Sequence, residues 1–185
     1  MSSNVIAIVQ ARMSSTRLPG KVMLPIGGIP MIIFLLRRIK PSKYLNNIVV
    51  ATSLDKSDDK LVELVAKENF NVFRGELDNV LSRYSQCSKA YDADVVVRIT
   101  ADCPLMHFSL IDELINEFNS SSWDYLSNIT DENKLSVPDG LDIEIFKSDL
   151  LYNANKLANL PSEKEHVTSW ILKNKTIFKC GHYSH

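Results

Sequence analysis

Short aliphatic runs alternate along the chain with stretches whose apolar positions recur every three or four residues. Val5-Ile-Ala-Ile-Val9, Asn47-Ile-Val-Val-Ala-Thr-Ser53 and Asp94-Val-Val-Val-Arg-Ile-Thr100 are apolar on consecutive positions. That pattern predicts strands covered on both faces. Asn71–Arg74, Trp123–Asn128 and Thr176–Cys180 predict further strands. Leu141, Ile143 and Ile145 alternate with Asp142 and Glu144, which predicts a strand presenting both acids on one face. Between these runs the spacing predicts helices over 31–40, 78–91, 109–118, 148–159 and 162–173. Pro30 is expected at the first position of the helix at Met31, and Ser57-Asp58-Asp59 supplies the cap and first-turn acids of a helix bearing Leu61, Leu64 and Val65. Strands alternating with helices make this an α/β chain with a mostly parallel central sheet and helices on both faces. Ligands collect where loops leave the carboxyl ends of such strands, so the loops after Val9 and after Thr100 are the places for a site.

Composition narrows the class. The 185 residues predict one domain, 1–185, with 45% apolar and 23% charged residues. Twenty-one basic residues against 22 acidic ones leave a net charge of −1. This argues against a dedicated nucleic-acid binder but not against a local cationic pocket for a small anion. Cys87, Cys103 and Cys180 are odd in number and form no Cys-x-x-Cys pair, which disfavours a thiolate zinc site or a disulfide framework. The longest apolar run, Met31–Leu36, falls far short of the ~20 residues of a membrane span. No basic segment precedes Val5 in the manner of a signal peptide. A cytoplasmic protein without membrane contact is expected.

The loop Gln10-Ala11-Arg12-Met13-Ser14-Ser15-Thr16-Arg17-Leu18-Pro19-Gly20-Lys21 places three cations, several small hydroxyls and a glycine directly after a buried strand. A polyphosphate needs backbone N–H groups together with cations that offset its charge. The loop lacks the Gly-x-x-x-x-Gly-Lys-Ser/Thr spacing of a Walker loop, and by composition alone it reads equally as a solvated surface loop. Asp102 follows the strand ending at Thr100; a metal ligand facing phosphates and a turn aspartate before Pro104 both suit that position. Asp142 and Glu144 suit a sugar contact, a metal helper or the solvated face of an edge strand. His166 reads as a base, a substrate contact or a helix-surface residue.

The pattern Ala11-Arg12-x-x-Ser15-x-Arg17-Leu18-Pro19-x-Lys21 resembles the signature loop of the cytidylyltransferases that activate acidic sugars, among them the enzymes making CMP-3-deoxy-manno-octulosonate and CMP-acylneuraminate. The chain is more similar still to the spore-coat polysaccharide biosynthesis branch. That likeness rests on Val72-Phe-Arg74-Gly75 with Asp78-Asn-Val80-Leu81-x-Arg83-Tyr84, and on Arg98-x-Thr100-Ala101-Asp102-Cys-Pro104. It rests also on Pro138-Asp-Gly140-Leu-Asp142-x-Glu144-x-Phe146 and on Glu165-His166-Val167-Thr168. The resemblance implies a Rossmann-like nucleotide-diphospho-sugar transferase fold and transfer of CMP from CTP to an acidic sugar, with release of pyrophosphate, in polysaccharide biosynthesis. It implies that Arg12 and Lys21 hold the triphosphate, that Ala11, Ser14, Ser15 and Arg17 line the turn, and that Arg74 sits near the base. Asp102 would carry Mg²⁺, with Arg98, Asp142 and Glu144 as candidate sugar contacts and Arg98 equally open to a structural pairing. A homodimer is implied, with the stretch Trp123–Phe146 as its candidate interface.

The family's second metal aspartate lies in a Thr-x-Asp-x-Pro-Glu-Asp-like segment that these residues do not contain. The expectation is therefore a shortened form, substitution by another acid such as Asp142, or a member that binds nucleotide without catalysis. A glycosyltransferase on a related sheet is the other enzymatic reading. Its usual Asp-x-Asp sign is missing from the end of an inner strand, since Asp92-Ala-Asp94 precedes the strand instead.

Overall fold

The computed structural model describes residues 3–15, 17–129, 138 and 140–184. In chain order its strands are β1 (Val5–Gln10), β2 (Pro25–Ile26), β3 (Ile29–Pro30), β4 (Asn47–Ser53), β5 (Asn71–Gly75), β6 (Val95–Thr100), β7 (Tyr125–Ser127), β8 (Glu144–Lys147) and β9 (Cys180–His182). Its helices are α1 (Met31–Ile39), α2 (Asp59–Lys67), α3 (Val80–Ala90), α4 (Phe108–Ser120), α5 (Ser148–Leu157), α6 (Pro161–Glu165) and α7 (Ser169–Lys173).

The main sheet has the order β5-β4-β1-β6-β8-β7-β9, and β2 pairs with β3 in a separate hairpin. β5, β4, β1 and β6 run parallel, whereas β8 is antiparallel to both β6 and β7. Consecutive residues of β1 face opposite cores, as the strand period of two requires. Val5, Ala7 and Val9 pack with Ile32, Leu36, Leu61 and Ile111 from α1, α2 and α4. Ile6 and Ile8 pack with Leu81, Tyr84, Leu151 and Ile171 from α3, α5 and α7. Burial on both faces explains the continuous apolar runs of β1, β4 and β6. After β5 the chain returns to the other side of β1, so the strand order reverses between β1 and β6. The carboxyl ends of those two strands frame a crevice there, with Gln10 opposite Thr100 in register.

Several local expectations give way to tertiary contacts. Pro30 is not the first helical residue: it closes the β2–β3 pair opposite Pro25 and sits at the N-cap of α1. Asp58 occupies the N-cap position of α2 and Asp59 is the acid of its first turn, as expected, but the Asp58 side chain turns inward and makes no cap hydrogen bond. The helix expected over 162–173 is two helices, because His166 is extended (φ −102°, ψ 97°). Lys173 Nζ thereby reaches Glu163 Oε1 at 2.8 Å, whereas ten residues along a straight helix are about 15 Å apart. The last strand begins at Cys180, after a single 3₁₀ turn over Lys175–Ile177. Part of the expected interface stretch, 130–137 and 139, lies outside the described residues. No helix among the described residues is long and apolar enough to cross a membrane.

Candidate active site

The loop after β1 is pinned from both sides. The Ala11 N–H donates to the Ala51 carbonyl at 3.2 Å, and the Met13 carbonyl accepts from Ser15 at 3.0 Å and Gly20 at 2.8 Å. The Met13 N–H donates at 2.7 Å to Asp58 Oδ1, a carboxylate with no exposed surface. Its other oxygen accepts from Thr52 Oγ1 at 2.8 Å, from the Ser53 N–H at 3.0 Å and from the Ser53 hydroxyl. Burial alone would raise this carboxyl. The donors from Ser53, Met13 and Thr52 outweigh it and hold Asp58 below 3.8. The turn closes at Gly20, whose φ of +72° lies in the left-handed region. Gly20→Ala is expected to cost about 1–2 kcal/mol, read as a lower urea midpoint, because its Cβ must adopt that conformation.

The pinned loop brings Lys21 to the end of β6. Lys21 Nζ meets Asp102 Oδ2 at 2.7 Å across 81 positions of sequence. Burial pushes the Asp102 carboxyl up, but the Lys21 ammonium and Thr100 overcome it and hold the group below 3.8, ionised at neutral pH. Ala11, Arg12, Ser15, Arg17, Lys21 and Asp102 all line one lobe of the crevice, of about 280 Å³. A wider lobe of about 720 Å³ opens beside it between Arg12, Ser14, Glu76, Asp78, Asn79 and Lys164. Arg12 and Glu165 border both lobes. This is the size of a small-molecule site, cationic at one end.

The turn bearing Glu76 and Leu77 is fixed from behind by Arg83. That side chain has no exposed surface, and its Nη1 donates to the Glu76 carbonyl at 2.6 Å. Gly75 makes room for it, since a Cβ there would stand 2.9 Å from Arg83 Cγ.

Other predicted site residues lie elsewhere. Arg74 lines neither lobe: its guanidinium donates to the Ser53 and Asp55 carbonyls at 2.8 and 2.9 Å and pairs with Asp59 at 2.8 Å. The β4–α2 connection takes up its donors, while its near neighbour Glu76 lines the wider lobe. Arg98 and Glu144 pair with each other in the sheet between β6 and β8, and the Tyr125 hydroxyl donates to Glu144 Oε1 at 2.6 Å. Neither lines the cleft, so the structural pairing open in the sequence for Arg98 is the arrangement found. Asp142 lies beside Cys103, close enough for its charge to be felt there; burial first, then the charges of Asp102 and Asp142, raise that thiol. His166 is exposed at the end of α6. Gln10, Glu165 and the turn at Glu76–Asn79 are cleft residues that sequence reasoning missed. Glu165 stands in the motif Glu165-His166-Val167-Thr168, whose position in the sequence is the signal for it.

Residues 6–184 match the family model described as Cytidylyltransferase. The chain belongs to the cytidylyltransferase family. A solved cytidylyltransferase from Leptospira borgpetersenii superposes with a TM-score of 0.89 and 34% identity over 100% of this chain and 76% of that one. The spore coat polysaccharide biosynthesis protein SpsF of Bacillus subtilis is 32% identical over 182 residues, covering 96% of this chain and 73% of SpsF. A 3-deoxy-manno-octulosonate cytidylyltransferase of Geobacter sulfurreducens is 31% identical over 114 residues, 60% of this chain and 44% of that protein. The cytidylyltransferase membership makes this chain a nucleotidyltransferase with the nucleotide-diphospho-sugar transferase fold, as the sequence resemblance implied.

Proposed function

We propose that this chain transfers CMP from CTP to an acidic sugar, releasing pyrophosphate, in a Mg²⁺-dependent reaction that serves surface-polysaccharide synthesis. The observation that carries the reading is the meeting of Lys21 with Asp102 at 2.7 Å in the cleft that Arg12 and Arg17 also line. Displacement at a phosphoryl group asks the protein for alignment and charge neutralisation. Arg12, Arg17 and Lys21 offset the charge of the triphosphate and of the departing pyrophosphate, with Arg able to fork onto two phosphate oxygens. Arg12 and Glu165 border both lobes, and the two lobes together have room for the nucleoside and the sugar. The acidic-sugar assignment draws on the likeness to the Geobacter 3-deoxy-manno-octulosonate cytidylyltransferase and on the cationic cleft.

The residues present fit a magnesium ion. Asp102 offers a hard oxygen ligand, ionised and partly exposed at the cleft. Magnesium is commonly held by one or two carboxylates with substrate phosphates and water completing its shell. When bound, the ion would polarise the phosphoryl group and neutralise developing charge. Asp102 would hold it, and Lys21 keeps that carboxylate oriented and ionised.

The test is pyrophosphate release with Mg²⁺, each nucleoside triphosphate and a panel of acidic sugars. CTP-specific, sugar-dependent release is expected; CTP binding without release from any pair overturns the reading. Lys21→Met is expected to weaken CTP binding by about tenfold, since one close charge-assisted contact contributes on the order of 1.5 kcal/mol, checked by titration calorimetry.

A further inference from the structure

Gln10 ends β1 at the point where the strand order reverses, opposite Thr100 on one side and Ala51 on the other. It lines the smaller lobe together with Arg12, Lys21 and Asp102. Its carboxamide oxygen is buried and has no hydrogen-bond partner among the described residues. A buried acceptor without a partner destabilises the fold, so such atoms are rare unless something else meets them. The other buried side-chain atoms in that condition, on Arg83 and Arg98, belong to residues that line neither lobe.

The chemistry of the atom limits its partner. A carboxamide oxygen accepts hydrogen bonds and cannot donate. Triphosphate oxygens also accept, so this oxygen and the phosphates repel each other. The remaining parts of CTP that carry donors are the exocyclic amine of the base and the ribose hydroxyls. We propose that Gln10 is a specificity-determining residue whose carboxamide oxygen accepts a hydrogen bond from the nucleoside part of the bound nucleotide. The inference rests on the reading of this cleft as the CTP site. It assigns separate duties within one lobe: Arg12, Arg17 and Lys21 take the phosphates, and the end of β1 reads the nucleoside.

Gln10→Met keeps the length of the side chain and removes the acceptor. The wild-type protein and this variant are titrated with CTP, UTP and pyrophosphate in the presence of Mg²⁺, and their thermal unfolding is compared. The variant is expected to melt at the same temperature or higher, because a buried oxygen without a partner has been removed. Its CTP dissociation constant is expected to rise about tenfold, and its pyrophosphate affinity to stay within about twofold. A loss confined to CTP places the donor on the base amine; an equal loss for UTP places it on the ribose, and either result supports the proposal. Unchanged CTP affinity overturns it. So does a pyrophosphate affinity that falls in step with CTP, which would turn the carboxamide toward the phosphates. A lowered melting temperature with loss of all binding also overturns it, by showing a purely structural role. Failure of the wild-type protein to bind CTP removes the proposed function and this assignment together, whereas wild-type binding with an indifferent Gln10 removes only the assignment.

Discussion

Asp102→Asn is expected to lower sugar-dependent pyrophosphate release by about 10³-fold while shifting the melting temperature by no more than about 3 °C. The two effects separate because of where the carboxylate sits. Its ion pair with Lys21 is partly solvated, with side-chain exposures of 27% for Lys21 and 45% for Asp102. A pair of that kind contributes at most about 1 kcal/mol to stability. On the proposed reaction the same charge would hold the metal, a duty the neutral amide would perform poorly. Turnover is measured with CTP, Mg²⁺ and a sugar that supports release by the wild-type protein, alongside a thermal melt. Activity within threefold of wild type would remove Asp102 from the mechanism.

Asp58→Asn has the opposite profile: a large loss of stability from a residue that lines neither lobe of the cleft. Each oxygen of Asp58 accepts from a backbone N–H that cannot rotate away, Met13 on one side and Ser53 on the other. An amide has one acceptor and one donor head, so in either orientation its NH₂ faces an N–H. The expected cost is about 3 kcal/mol, from one charge-assisted bond lost and one buried donor left without an acceptor. Urea denaturation at pH 7 measures it. The pH dependence gives a second check. The folded-state pKa is depressed below that of the unfolded chain, so the stabilisation is whole above the unfolded value of about 3.9 and is lost as the pH falls through the folded value. The stability gap between wild type and variant should therefore narrow below about pH 4. Loss of the Met13 anchor should also weaken CTP binding, since Arg12 and Ser14 flank that residue.

That Arg12, Ser15, Arg17 and Lys21 belong together was legible because a dozen consecutive positions display a dense cluster of charges and hydroxyls. Asp102 was legible for a different reason: an acid just past a fully apolar strand has few places to go but the strand's carboxyl end. Arg74 and Glu144 were not. Each is a polar residue in a sound position, and its partner is chosen by a neighbour distant in sequence or across a strand pair. Asp59 competes for Arg74 across 15 positions, and Arg98 for Glu144 across 46. Asp58 reads in sequence as a helix cap because local spacing says nothing of the Thr52–Ser53 strand end that turns it inward.

The order of strands and helices, the two-sided burial of β1, β4 and β6, the cationic loop and the family itself were determined by the sequence, since each depends on periodicity or on residues close together along the chain. Folding alone decided that Lys21 meets Asp102, that α6 brings Glu165 to the cleft and that the Gln10 oxygen has no partner among the described residues. Those facts depend on how β1 and β6 become neighbours through long crossovers, and contacts between remote segments leave no local periodic trace.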